Sequence, residues 1–92
     1  MMLPPFDMSV PADARYRSTA PEAAAKYAEL AGCAPAAANA LRTDVDAAAA
    51  KMAANALRGD VENIALGFTT AESEVVVKMT CGGESATIRQ PR

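Results

Sequence analysis

The amino-acid sequence predicts an α+β fold: a two-layer sandwich of order βααβββ, in which two helices cover one face of a mostly antiparallel four-stranded sheet. Apolar and polar residues alternate near the N-terminus and over the second half of the chain, which is typical of strands with one buried face. Between these regions lies an alanine-rich stretch whose apolar residues recur at helical spacing. Because each strand has a single apolar face, the helices should cover one side of the sheet only.

The length and composition indicate a single domain. A chain of 92 residues is long enough for only one hydrophobic core, so we interpret residues 1–92 as one domain. The net charge is −2 with no cluster of basic residues, so we expect no nucleic-acid partner. No apolar run is long enough for a membrane span, and the N-terminus lacks the pattern of a signal peptide. We therefore expect a cytoplasmic protein with no membrane partner.

The first strand is predicted at Phe6–Val10, where apolar and polar residues alternate. Pro4 and Pro5 should keep the preceding segment extended. Pro11 should end the strand, because proline has no amide hydrogen to donate to a neighbouring strand.

The first helix should begin with Thr19 as its N-cap, since Glu22 follows three residues later and would complete a capping box. An earlier start near Ala14, with a kink at Pro21, is an alternative. Gly32 should end the helix at the C′ position. The buried side of this helix is predicted to contain Ala24, Tyr27, Ala28, Leu30 and Ala31.

The second helix is predicted from Pro35 to Arg58, followed by Gly59 and Asp60 as a stop signal. Its apolar residues recur at intervals of four, three, four and four positions, which places them on one face. That face is predicted to contain Leu41, Val45, Ala48, Met52 and Ala56, widened by Ala49 and Ala53. Most of these side chains are methyl groups, so the sheet can approach the helix closely.

Three further strands are predicted after this helix. Alternating residues fall in Ile64–Phe68, Val75–Cys81 and Ser85–Arg89. The last two strands should form a hairpin through Gly82 and Gly83, because two glycines satisfy the positive φ angles of a type I′ turn.

The residue types argue against catalysis. The chain has no histidine, its acidic residues are scattered, and no serine has a partner base, so general acid–base or nucleophilic chemistry has no obvious centre. Clustered carboxylates that could hold a metal ion are also missing from the sequence. Cys33 and Cys81 are predicted to be buried free thiols. We therefore expect a protein that is not an enzyme.

A possible contact surface lies along one edge of the second helix. Asp44, Lys51 and Asn55 share one flank of its apolar stripe, with Ala47 nearby. These polar groups either mark the solvent-exposed edge of the stripe or contact a partner. We retain them as candidate partner-binding residues.

Several features together resemble a known family. They are the segment Phe6–Ala12, Tyr16, Gly32, Leu41, Val45 and the paired strands Ile64–Phe68 and Val75–Cys81. Their arrangement is similar to that of the anti-sigma-factor serine kinases in the histidine-kinase-like (GHKL, Bergerat-fold) ATPase superfamily, over most of the chain. The resemblance implies a minimal Bergerat fold without the ATP lid. It also implies a sigma factor or an anti-sigma antagonist as partner, and a homodimer.

The same resemblance implies a nucleotide pocket, but this chain departs from the family there. The family's catalytic Glu and Mg²⁺-binding Asn align with Ala47 and Lys51. Shifting the alignment by four residues places Asn55 at the Asn position, but Lys51 then occupies the Glu position. The adenine-binding Asp of the family aligns with Cys81, although Gly83 matches. An ammonium group cannot ligate Mg²⁺. We therefore interpret Ala47, Lys51, Cys81 and Gly83 as vestigial pocket positions and expect no cofactor.

The resulting hypothesis is a non-catalytic regulatory protein–protein interaction domain, anti-sigma-factor-like, that has lost ATP binding. A small-molecule or nucleotide sensor that binds without turnover is the alternative. A structural subunit whose partner is a second copy of itself is a third interpretation.

Overall fold

The structure, a computed structural model, describes residues 4–11, 18–56 and 63–92. The elements are β1 (Phe6–Pro11), α1 (Thr19–Leu30), α2 (Pro35–Ala56), β2 (Asn63–Thr70), β3 (Glu74–Cys81) and β4 (Glu84–Pro91). This order confirms the predicted βααβββ sandwich. No helix in the described ranges is long and apolar enough to cross a membrane.

The four strands form one antiparallel sheet in the order β1-β2-β3-β4. One row across the sheet joins Phe6 to Phe68, Phe68 to Val77 and Val77 to Ile88. The residues of this row share the face that the helices cover, since partners in register point to the same side. The predicted inward positions of β2 and β3 are confirmed as buried: Ile64, Leu66, Phe68, Val75, Val77, Met79 and Cys81.

The C-terminal end of α1 has the geometry that Gly32 predicts. Gly32 has a φ of +92°, a left-handed conformation that other residues rarely adopt. The Gly32 amide donates to the Glu29 carbonyl at 3.1 Å, and the Cys33 amide donates to the Ala28 carbonyl at 3.0 Å. These two bonds form a Schellman motif, which satisfies carbonyl groups that the helix end would leave unpaired.

The N-terminal end of α1 differs from the prediction. Thr19 is the first helical residue, Ser18 occupies the N-cap position, and the Ser18 side chain forms no capping bond. A capping side chain needs extended backbone at its own position, whereas Ser18 has helical angles (φ −73°, ψ −15°). The capping box of Thr19 and Glu22 was therefore wrong. The alternative start near Ala14 lies outside the described residues.

Leu30 is a second correction on α1, because it was predicted to be buried and is 64% exposed. Helix geometry explains the difference. Leu30 follows Tyr27 by three residues, which turns it about 60° back from Tyr27, away from the buried alanines. The other predicted members of the buried side, Ala24, Tyr27, Ala28 and Ala31, are confirmed.

The buried face of α2 agrees in part with the predicted stripe, and the predicted position of the Ala56 side chain lies outside the described part of the structure. Leu41, Val45, Ala49 and Met52 are buried, as is Ala38 one turn earlier. Ala48 and Ala53 are only half-buried, so the centre of the face passes through Ala49 instead. The helix is described to Ala56, and the predicted stop at Gly59 and Asp60 lies outside the described residues.

The hairpin between β3 and β4 is confirmed, with Cys81 opposite Glu84, but its turn type differs from the prediction. Gly82 has a φ of +61°, whereas Gly83 has no left-handed φ. A positive φ at the first central position alone is the sign pattern of a type II′ turn. Both types match the right-handed twist of the strands, so the register of the hairpin is unaffected.

Candidate functional site

Three aromatic rings from different elements stack at one end of the sandwich. The ring centroids of Tyr27 and Phe68 are 5.4 Å apart, and those of Phe6 and Phe68 are 5.8 Å apart. Phe68 is fully buried, while Phe6 is 50% exposed. The stack thus begins in the core and ends at the surface, where β1 forms an edge of the sheet.

The hydroxyl group of Tyr27 links the segment before β1 to the core. It donates a hydrogen bond to the Pro4 carbonyl at 3.1 Å and accepts one from Thr70 Oγ1 at 3.0 Å. Thr70 is buried, so the Tyr27 oxygen supplies its hydroxyl with a hydrogen-bond acceptor in place of water. These bonds hold Pro4 and Pro5 against α1.

An apolar groove lies between this segment and α1, with a cavity volume of about 380 Å³. Pro4, Pro5 and Phe6 line it from the N-terminal side, and Ala23, Lys26, Tyr27 and Leu30 line it from the helix. We call it the α1 groove. Phe6 and Leu30 are the exposed large apolar side chains of the described chain, and both lie here. A concave and mostly apolar lining is typical of binding sites.

One charged residue lines the α1 groove. Lys26 is largely exposed, and its Nζ lies 4.0 Å from Glu29 Oε2, a long and solvent-screened ion pair. The ammonium group can therefore turn to a carboxylate of a bound molecule without breaking a strong contact. The groove thus offers apolar contact area and one positive charge at its rim.

The α1 groove was not predicted from the sequence. The sequence predicts Leu30 in the core and predicts only an extended segment at Pro4 and Pro5. The angular offset of Leu30 from the buried alanines was the available signal. Nothing local in the sequence indicates that Tyr27 contacts Pro4, since 23 residues separate them.

The predicted contact residues lie on a different surface. Asp44 and Lys51 are exposed on α2, two helical turns apart. Asp44 Oδ2 accepts a hydrogen bond from Gln90 Nε2 of β4 at 3.4 Å, so this flank of α2 lies beside the edge strand β4. Asn55 belongs to α2, but its side chain lies outside the described part of the structure.

The four positions interpreted as vestigial pocket residues have different surroundings. Ala47 and Lys51 are exposed on α2, Cys81 is buried in the core, and Gly83 is exposed in the hairpin turn. None of them lines the α1 groove. Their interpretation therefore rests on the family resemblance alone.

Both cysteines are buried free thiols, as predicted. Burial raises the pKa of Cys33, although the nearby Arg92 guanidinium opposes this effect. Burial also raises the pKa of Cys81, and the Glu84 carboxylate adds to the increase. Thiolates are therefore scarce at neutral pH. Among the residues that the structure describes, no three cysteine or carboxylate side chains converge as metal ligands.

Comparison with known proteins assigns no family. No protein-family model matches the chain, and a search of curated proteins gives no match. The resemblance to anti-sigma-factor kinases therefore stays a prediction from the sequence.

Proposed function

We propose that this chain is a non-catalytic regulatory domain that acts by binding another protein, and that the α1 groove is its contact site. The observation that carries this proposal is the joint exposure of Phe6 (50%) and Leu30 (64%) on an apolar groove. Exposing two large apolar side chains side by side is unfavourable in water unless a partner covers them. A bound protein segment would remove both from solvent.

The lining of the groove indicates the chemistry of the partner segment. An apolar side chain of the partner would enter between Pro5 and Leu30 and meet the ring of Phe6. A carboxylate next to that side chain would pair with Lys26 at the rim. The resemblance described above adds a partner class to this proposal, namely a sigma factor or an anti-sigma antagonist.

In the test, Leu30→Glu and the unmodified protein each serve as bait in a native lysate. Each captured protein is then purified and titrated with both baits to measure its dissociation constant. Leu30→Glu should weaken binding about tenfold or more, because a charge replaces an apolar contact. The melting temperature should stay the same, since Leu30 is 64% exposed. Thr43→Glu, at an exposed position of α2, is the matched control and should bind normally. Equal capture by all three proteins would contradict the proposal.

A second candidate function is a sensor of small molecules. The cavity of about 380 Å³ falls within the size range of ligand pockets, and its lining is mostly apolar, as such pockets are. A ligand at 100 times its dissociation constant would add about 2.7 kcal/mol to stability. A thermal-shift screen of apolar carboxylates and of nucleotides with Mg²⁺ tests this function. No shift with any compound would exclude those ligands.

A further inference from the structure

One flank of α2 carries small and charged side chains in a regular order. It consists of Ala40, Asp44, Ala47, Ala48 and Lys51, and we call it the α2 flank. Asp44, Ala47 and Lys51 are exposed, and the other two alanines are half-buried. No described residue forms an ion pair with Lys51. The α2 flank is therefore available for contact with another molecule.

The charges on this flank are self-complementary. Asp44 and Lys51 are seven residues apart, about 10.5 Å along the helix axis, with Ala47 and Ala48 midway between them. When a second α2 runs antiparallel, Asp44 of each copy faces Lys51 of the other. The two alanines then lie at the two-fold axis, where their small side chains allow helix axes to approach to about 8 Å.

The adjacent sheet edge supports the same geometry. β4 pairs only with β3 among the described strands, so its outer edge is free. β4 ends at Pro91, as β1 ends at Pro11, but the residues of β4 before Pro91 include no proline and can donate their amides along the edge. The hydrogen bond from Gln90 to Asp44 places the β4 edge next to the α2 flank. A single two-fold axis can therefore place the α2 flank and the β4 edge of one chain against the same two surfaces of a second copy.

We propose that the α2 flank is an isologous interface with a second copy of this chain. Two reciprocal ion pairs between Asp44 and Lys51 set its register, and the free β4 edges meet across the same axis. This inference is independent of the proposed function, because the α1 groove is lined by α1 and the N-terminal segment. A dimer would present two α1 grooves.

Charge exchange tests this interface. Asp44→Lys and Lys51→Asp should each raise the dissociation constant of the dimer about tenfold or more, since each creates two like-charge contacts. Mixing these two variants should restore dimers, because both inter-chain contacts then join opposite charges. Sedimentation velocity distinguishes the monomer of 9.5 kDa from a dimer of twice that mass. Arg42→Glu reverses an exposed charge elsewhere on α2 and should leave dimerisation unchanged.

Several results would overturn the proposal. A monomeric unmodified protein at high concentration would do so. Dimers that persist in both single variants would place the interface on another surface. A mixture of the variants that stays monomeric would show that Asp44 and Lys51 do not face each other. Circular dichroism of each variant checks folding, and these exposed substitutions should leave the spectrum unchanged.

Discussion

The Tyr27 hydroxyl donates a hydrogen bond to the Pro4 carbonyl at 3.1 Å and thereby ties α1 to the segment that precedes β1. The same oxygen accepts a bond from the buried Thr70 hydroxyl at 3.0 Å. One side chain thus connects the N-terminal segment, the first helix and the end of β2. Because Pro4 and Tyr27 both line the α1 groove, this bond also joins the two sides of the groove.

The Tyr27→Phe variant should lose about 1–3 kcal/mol of unfolding free energy, because the buried Thr70 hydroxyl loses its acceptor and the Pro4 carbonyl its donor. Urea denaturation measures this loss. Thr70→Val, and the double variant with both changes, complete a mutant cycle. The double variant should cost less than the sum of the single variants, since both remove the same bond. Additive costs would show that the two hydroxyl groups act independently.

Phe68 should contribute far more to stability than Phe6, although both belong to the same aromatic stack. Phe68 is fully buried, so Phe68→Ala should cost about 3–5 kcal/mol, close to the whole stability of a small domain. Phe6 is 50% exposed, and Phe6→Ala should cost about 1 kcal/mol. Urea unfolding curves of the two variants compare these losses. Similar losses of unfolding free energy in the two variants would contradict the prediction that the buried ring contributes more to stability.

Much of the fold was predictable because its determinants are local. Alternation in β2 and β3 identifies their buried face, since a shift by one residue would turn Phe68 and Val77 outward. Gly32 marks the end of α1, because the left-handed conformation there favours glycine over every other residue. The turn type at Gly82 was not predictable in the same way. Glycine accepts the φ angles of both type I′ and type II′ turns.

The candidate site was less predictable because it depends on contacts between distant parts of the chain. The α1 groove exists because Tyr27 holds Pro4, and no residue near either one indicates this pairing. Leu30 appears as one more apolar residue of a helix until the direction of the buried face is known. The pair Asp44 and Lys51 could be found from helical spacing alone, since both lie on one element.

Replacing Gly32 with alanine should destabilise the domain by about 1–2 kcal/mol. Its φ of +92° is strained for a residue with a Cβ atom, although the space around that position is open. Gly83→Ala is the matched control, because a Cβ there also meets open space and the φ is not left-handed. That variant should stay within about 0.5 kcal/mol of the unmodified protein in thermal unfolding. Equal effects would exclude backbone conformation as the cause.

Arg92, which contacts the C-terminal end of α1, should contribute more to the free energy of unfolding than the exposed Arg89 does. Its Nε donates to the Ala31 carbonyl at 3.0 Å and its Nη1 to the Ala71 carbonyl at 3.0 Å, which places a cation at the negative end of the helix dipole. Arg92→Ala should therefore cost about 1.5–3 kcal/mol in urea unfolding. Arg89→Ala, which loses only the exposed pair with Glu74, should cost about 0.2–1 kcal/mol. The reverse order would contradict this role of Arg92.

The two buried thiols should make the domain less stable at alkaline pH. Burial raises the pKa of Cys33 and Cys81 above that of a free thiol. The unfolded chain therefore releases these protons first as the pH rises, and the folded state keeps them. The contribution of the two thiols to the free energy of unfolding is complete below their pKa in the unfolded chain. It is lost as the pH rises through their higher pKa in the folded state.

Urea midpoints measured from about pH 7 to pH 10 test this dependence, with the lower end as the reference for protonated thiols. The midpoint should be constant near neutral pH and fall towards the upper end. In a Cys33→Ala and Cys81→Ala double variant the reference midpoint should be lower, because buried volume is lost, but the alkaline decline should be smaller. An identical decline in both proteins would assign it to other titrating groups.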